Sequence, residues 1–221
     1  MNTRLVGILI DSFPNILING LTVTLPLTII SFALALVIAL ITALVQTAKI
    51  PVLQQIARFY VWVIRGTPVL VQLFVVFYGL PSLGVLIDPF PAAVACFAIN
   101  EGAYCAETIR AALESVPKGQ MEAGQCVGMS YLQIIRRIIL PQAVKNILPA
   151  LGNEFVTMIK ETSIIQYLGV GDLMYNNGIV ITATYNPLPC YYISAIIYLT
   201  LNIVLGKGLD LFERRMKCSD R

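Results

Sequence analysis

The sequence has no histidine, few charged residues and no cysteine pair at metal-ligand spacing. Only 12% of its 221 residues are charged, while 57% are hydrophobic, and soluble domains are roughly a quarter charged. The cysteines stand at wide, irregular intervals, so neither a zinc site nor a disulfide framework is expected. An intramembrane enzyme is disfavoured too, because no cysteine has a basic partner to activate it. The composition indicates a membrane protein.

Three long stretches carry no charged residue, and they set the minimum number of membrane spans at three. They lie between Asp11 and Lys49, between Arg65 and Asp88, and between Asp172 and Lys207. Each is long enough to cross a bilayer as a helix, which takes roughly 20 residues. Two further apolar stretches contain charges. We predict an all-α, polytopic membrane helical bundle, one domain over residues 1–221, with five spans at about 21–45, 55–80, 89–113, 144–165 and 188–212.

The basic residues predict the orientation of this bundle. Those in the connections fall between spans one and two, between spans three and four, and after span five: Lys49, Arg58, Lys118, Arg136, Arg137, Lys145, Lys207, Arg214, Arg215, Lys217 and Arg221. The opposite side offers only Arg4. Because cytoplasmic connections are rich in Lys and Arg, we expect the N-terminus outside, the C-terminus in the cytosol and the connection at 117–141 on the cytosolic face.

That connection contains a patterned polar stretch, EAGQCVGMSYLQIIRRIILPQA, at residues 122–143. Gly128 suits a helix C-terminus, where a positive φ is common. Ser130 and Gln133 match the capping box that begins a helix, and Pro141 predicts the end of that helix near Leu140. The pattern therefore predicts two short helices around a glycine corner.

The second of these helices is amphipathic, with Leu132, Ile135 and Ile139 predicted on one face. One interpretation is a hairpin that lies on lipid headgroups or under its own bundle. Another is a DNA-binding helix-turn-helix. The helix carries only two basic residues and is tethered between membrane spans, and both features argue against DNA binding. No nucleic-acid partner is therefore expected.

The same stretch resembles the EAA-x3-G-x9-I-x-L-P loop of the membrane subunits of ABC importers. The matching positions are Glu122, Ala123, Gly124, Gly128, Ile138, Leu140 and Pro141. Gly124 stands where the motif usually has Ala. Other stretches resemble the branch that imports polar amino acids: ILINGLTVTL (16–25), RGTPVLVQ (65–72), AYCAETIR (103–110), NILPALGNEFVTMIKETSI (146–164) and FERR (212–215).

The resemblance implies partners and a coupling role for the cytosolic loop. In that family the loop is a coupling helix held in a cleft of the ATPase, which implies contacts from Glu122, Ala123, Gly124, Gly128, Met129, Leu140 and Pro141. The sequence has no G-x-x-x-x-G-K-[ST] phosphate-binding loop. ATP and Mg are therefore expected on separate ATPase subunits, with no cofactor on this chain. A second permease copy or homologue, an extracytoplasmic solute-binding protein and a bacterial cell membrane are also implied.

Ionisable side chains inside the spans predict a polar chamber, because a charge at the bilayer centre usually faces a partner or water. The predicted substrate-binding residues are Thr67, Asn100, Glu101, Tyr104, Glu154, Met158 and Glu161. Glu154 can accept the ammonium group of an amino acid, while Asn100, Thr67 or Tyr104 can donate to its carboxylate. The excess of acidic residues favours a cationic or neutral polar substrate.

Two alternatives remain open for these charges. Structural ion pairs can form between Glu107 and Arg110, and between Lys160 and Glu154 or Glu161. The break that follows Arg65 can act as a gate or a kink. As a second function, Glu101, Glu154 and Glu161 can serve as cation sites of an ion-coupled carrier or channel that needs no ATPase. An inverted repeat would support that carrier, and the five spans show none.

Overall fold

The computed structural model describes residues 3–47 and 50–218, and every regular element in those ranges is a helix. The helices are α1 (Thr3–Thr47), α2 (Pro51–Arg65), α3 (Val69–Phe74), α4 (Pro89–Glu114), α5 (Lys118–Cys126), α6 (Tyr131–Ile134), α7 (Leu140–Glu161), α8 (Leu173–Thr184) and α9 (Pro187–Cys218). The all-α prediction is confirmed. Lys49 and Arg221, which entered the orientation argument, lie outside the described residues.

Two helical segments of the described chain are long and apolar enough to cross a membrane, Ser12–Thr47 and Pro187–Leu211. A third candidate is the pair Pro51–Arg65 and Val69–Leu83, if this pair is one broken span. α4 and α7 correspond to predicted spans three and four, and charged residues lie within both helices. The count of five spans and their orientation stay predictions.

The predicted second span is sharply broken at the RGTP sequence. The axes of its two halves differ by 101°. Pro68 cannot donate a backbone hydrogen bond, so nearby carbonyl groups lose their helical partners. The Gln72 side chain replaces them: its Nε2 donates to Ile64 O at 2.8 Å and to Thr67 O at 3.0 Å. A side chain thus satisfies polar backbone that would otherwise be costly to place in a membrane.

α4 is the central helix, and it packs against α1, α2 and α7 in two apolar layers. The layer nearer the α5–α6 end contains Ala39, Ala43, Val61, Ala103, Cys105, Ala106, Ile109, Ala112, Val116, Ala143 and Ile147. The other layer contains Leu27, Leu73, Ala93, Val94, Cys96, Phe97, Met158, Ile165, Leu168 and Val170. Asn100 and Glu101 lie on α4 between the two layers, so polar groups interrupt the core at its middle.

The predicted helix end before Pro141 is wrong. The chain stays helical from α6 through a π-helical turn at Ile135–Ile139 into α7. Pro141 removes one backbone hydrogen bond from this path. It lies just after the π-helical turn, where the regular i to i−4 ladder is already interrupted. The hairpin and α7 therefore form one continuous helical path.

The connection between predicted spans four and five contains a helix, α8, that the sequence analysis missed. The Asp172 carboxylate caps it, accepting from Tyr175 N at 2.8 Å and Met174 N at 3.2 Å. Burial raises the pKa of Asp172 to about 6, although these two hydrogen bonds act in the opposite direction. α8 packs with α1 and α9 around Ile16, Leu173, Ile193 and Ile197.

Candidate functional site

Three of the predicted chamber residues are carboxylates that α4 and α7 bring into one region. Glu101 is only 4% exposed, and it lies within electrostatic range of Glu154 and Glu161. The Cys105 thiol donates to Glu101 Oε1 at 3.8 Å. The described residues contain no group of His, Cys, Asp or Glu that could hold a metal ion. The three carboxylates therefore form an acidic region rather than a metal-ligand set.

The predicted donor side chains of the chamber are linked to one another. Asn100 Nδ2 donates to Gln72 Oε1 at 3.0 Å, and Gln72 Nε2 donates to Thr67 Oγ1 at 2.8 Å. The Thr67 hydroxyl itself donates to Val63 O at 3.0 Å. Gln72 connects α4 to the break. It ends the RGTPVLVQ stretch, and nothing in that stretch predicts its contact with a residue 28 positions away. This network occupies the Thr67 hydroxyl and part of the Asn100 amide.

Tyr104 and Met158 occupy different environments in the structure. The Arg65 guanidinium carbon lies 5.1 Å from the centroid of the Tyr104 ring, a cation–π contact. Met158 is 0% exposed and packs in the apolar layer that contains Phe97. The structure therefore places Tyr104 beside the polar region, and it places Met158 in the core rather than on a chamber wall.

The charged side chains near the α5–α6 end are partly paired. Arg110 forms ion pairs with Glu107, three residues before it, and with Glu114 at 2.6 Å. Lys160 is exposed. Within the described part of the chain it forms no ion pair with Glu154 or Glu161, although it interacts with Glu161 at longer range. Of the two pairings that spacing allows, the structure contains the Glu107–Arg110 pair.

A cavity of about 600 Å³ adjoins these residues, and we name it the arginine cavity. It is lined by Gln46, Arg58, Val61, Trp62, Arg65, Gly66, Tyr104, Glu107 and Arg110. Residues from α1, α2 and α4 form it, at the level of the apolar layer nearer α5 and α6. Arg58 and Arg65 stand seven residues apart on α2, so both line the cavity from one face of that helix. The local sequence of α2 does not show that α1 and α4 complete a cavity beside them.

The predicted two-helix hairpin is present as α5 and α6. Gly128 has φ +76°, a value that favours glycine. Ser130 and Gln133 form the capping box, with Ser130 N donating to Gln133 Oε1 at 2.9 Å. A Cβ atom on Gly124 would lie 2.7 Å from Ile134 Cγ1. The glycine at this position thus lets the two short helices touch.

The outer face of the hairpin is exposed and contains an apolar patch among polar residues. Val127, Tyr131 and Leu132 are 75%, 68% and 72% exposed, and Ile134, which lies outside the predicted apolar face, is the buried residue of α6. Further exposed residues of the predicted coupling set are Glu122, Ala123, Gly128, Leu140 and Pro141, while Met129 is half-buried. An exposed apolar patch with polar neighbours is typical of a surface that binds another protein.

Comparisons with known proteins identify the family. The model of the family described as "Binding-protein-dependent transport system inner membrane component" matches residues 35–217. The L-cystine transport system permease protein TcyB of Bacillus subtilis (strain 168) is 42% identical over 207 residues, which cover 93% of this chain and 88% of the relative. The arginine transport system permease protein ArtQ of the same organism is 38% identical over 205 residues, covering 92% of this chain and 94% of the relative.

A solved structure with 40% sequence identity agrees over nearly the whole length. It is a crystal structure of an amino acid ABC transporter with histidines, and its TM-score is 0.91, with 97% of this chain and 100% of that chain covered. The resemblance inferred from residues 122–141 is confirmed by these relatives. The chain belongs to the family of inner membrane components of binding-protein-dependent transport systems.

Proposed function

We propose that this chain is the permease subunit of an ATP-driven importer of polar amino acids. The observation that carries the proposal is the α5–α6 hairpin, whose exposed apolar patch offers a docking surface at one end of the bundle. Relatives of about 40% identity are named as permeases for cystine and arginine. Two such subunits enclose the path, separate ATPase subunits hold the hairpins, and a solute-binding protein delivers the amino acid.

The helical path from the hairpin into α7 supports a mechanical role. α6, the π-helical turn and α7 follow one another without a loop. A displacement of the hairpin therefore moves α7 with it. α7 carries Glu154 and Glu161. Nucleotide bound between the ATPase subunits supplies the energy of the cycle. Movement of α7 then changes how these carboxylates face the path, which is a population shift between two conformations.

The charges of the chamber favour a cationic or neutral polar amino acid. Three carboxylates, Glu101, Glu154 and Glu161, outnumber the nearby cations, which are Arg65 near Glu154 and Lys160 near Glu161. Carboxylates attract the ammonium group that every amino acid carries and repel an acidic side chain. Glu154 is half-buried rather than buried, so a substrate can reach it more easily than Glu101. We assign Glu154 as the main acceptor for the ammonium group.

Reconstitution with the cognate ATPase and binding protein tests the proposal. We expect ATP-dependent uptake of radiolabelled arginine, cystine or glutamine into proteoliposomes. Glu122→Arg and Gly128→Val should each lower substrate-stimulated ATP turnover about tenfold or more, because a lost charge-assisted contact is worth roughly 1.5–3 kcal/mol and a β-branched residue strains the positive φ. Gly119→Ala is the control, since nothing lies within 4 Å of a Cβ at that position.

A second variant tests the chamber separately from the hairpin. Glu154→Gln should lower uptake while the purified complex keeps its subunit composition on gel filtration. Normal uptake by Glu154→Gln would remove this carboxylate from the site. Uptake by the chain without any ATPase, at the rate of the full complex, would instead favour the ion-coupled carrier and overturn the importer.

A further inference from the structure

The arginine cavity contains more positive charge than its neighbours neutralise. Its lining includes three arginines, Arg58, Arg65 and Arg110, and one carboxylate, Glu107. Arg110 is occupied by Glu107 and by Glu114, which lies just outside the lining. Among the residues that the structure describes, Arg58 and Arg65 have no ion-pair partner. Two guanidinium groups therefore face this space with unmatched charge.

Arg65 links the arginine cavity to the acidic chamber. It lies within electrostatic range of Glu154 in the chamber and of Glu107 in the cavity. Its stacking partner, Tyr104, lies one helical turn from Glu101 on α4, a rise of about 4.5 Å. The two regions are thus neighbours along the bundle, with Arg65 and Tyr104 at their boundary.

The two regions have complementary hydrogen-bonding chemistry. The chamber holds three carboxylates, which only accept when ionised. Its neutral donors are partly engaged, since the Thr67 hydroxyl donates to Val63 O and Asn100 Nδ2 donates one hydrogen bond to Gln72 Oε1. The cavity holds guanidinium groups, which only donate and match the geometry of an oxyanion. An amino acid carries one cationic and one anionic group on the same carbon. Each region is therefore matched by charge to one of these two groups.

We propose that the arginine cavity is the subsite for the α-carboxylate of the transported amino acid, with Arg58 and Arg65 as its ligands. The inference rests on the proposed function, and it assigns a site to the anionic group of the substrate, for which the chamber residues supply no cationic side chain. At about 600 Å³ the cavity is within the range of small-molecule sites. The phosphate of an anionic lipid is an oxyanion of the same chemistry and is the competing source of such a ligand.

The test compares an amino acid with the amine that lacks its α-carboxylate. The nucleotide-free complex with its ATPase is placed in nanodiscs of phosphatidylcholine. The probes are whichever of arginine, glutamine or cystine the wild type takes up best and the matching amine: agmatine, 4-aminobutanamide or cystamine. The measured quantity is the ratio of the two dissociation constants, amine over amino acid, which a purely structural role of the arginines would leave unchanged.

We expect Arg58→Gln and Arg65→Gln each to reduce this ratio roughly tenfold, because a hydrogen bond to a charged group contributes about that much to affinity. Arg58→Lys should keep most of the ratio, since the positive charge remains. Lys207→Gln is the matched control: it removes an exposed positive charge on α9, outside the cavity. It should leave the ratio as in the wild type.

Three results would overturn the assignment. One is an unchanged ratio in both glutamine variants of the cavity; another is an equal fall in Lys207→Gln, which would indicate long-range charge alone. The third is that wild type retains phosphatidylglycerol in mixed nanodiscs, the Arg58→Gln and Arg65→Gln variants do not, and the ratio of dissociation constants is the same in all three. That result would make the cavity a lipid site. The proposed function fails separately, through absent ATP-dependent uptake by the wild type.

Discussion

At the scale of single residues, one absent methyl group decides how closely α4 approaches its neighbours. A Cβ atom on Gly102 would lie 2.8 Å from Ile38 Cγ2 on α1 and 3.2 Å from the Tyr60 hydroxyl on α2. That hydroxyl donates to Ile99 O at 2.6 Å. Gly102 therefore allows α1, α2 and α4 to meet next to Glu101, at the level of the candidate chamber.

Gly102→Ala should destabilise the protein by about 1–3 kcal/mol, the usual cost of overpacking a closely packed core. The measurement is the thermal unfolding midpoint of the purified protein in detergent. Gly206→Ala is the control on α9, where nothing lies within 4 Å of a Cβ, so its helix should gain up to about 1 kcal/mol. Equal midpoints for the two variants would show that the contact with Ile38 is not tight.

At the scale of elements, the bend between α2 and α3 depends on one glutamine side chain. Gln72 donates to two carbonyl groups at the break and to Thr67 Oγ1, and it accepts from Asn100. In a membrane these carbonyl groups have few other partners. The side chain therefore holds the 101° bend and, through Asn100, fixes α4 beside it.

Gln72→Leu should lower stability by about 1 kcal/mol, the usual net contribution of an intramolecular hydrogen bond, because Gln72 and Ile64 are only half-buried. Uptake should fall more than the loss of stability alone explains, because Asn100 then loses its hydrogen-bond acceptor on Gln72. Gln55→Leu serves as the control, since Gln55 is an exposed residue of α2. If both variants unfold and transport alike, Gln72 does not hold the bend.

At the scale of the whole molecule, the two ends of the bundle differ in what they present. The α5–α6 hairpin and the arginine cavity lie toward one end. The turn at Leu80–Leu83, with exposed Leu83 and Leu86 near it, lies toward the other. We expect the hairpin end to face the ATPase and the opposite end to face the solute-binding protein.

Cysteine crosslinking tests this polarity in a variant whose five native cysteines are replaced by alanine. Ala123→Cys on the hairpin should be captured with the ATPase by a bismaleimide reagent, because Ala123 is exposed there. Ser82→Cys at the other end should capture the binding protein and not the ATPase. Capture of the ATPase through Ser82→Cys would reverse the predicted orientation.

The sequence alone determined the class of the protein, its helical content and its hairpin. These features are local: long charge-free stretches specify membrane helices, and the capping box at Ser130 with a glycine at 128 specifies a corner. The Glu107–Arg110 ion pair is also local, because residues three apart on a helix are neighbours. Each depends on residues close together in the chain.

Only the tertiary structure decided which groups meet across helices. The helix continues through Pro141, Ile134 rather than Leu132 is buried, and Met158 lies in the core. The tertiary structure joined Asn100 to Gln72, 28 residues away, and it set Arg58 in one cavity with Arg110, far along the chain. Such contacts depend on how helices pack, and packing is a property of the complementary surfaces of several helices that no single stretch of sequence contains.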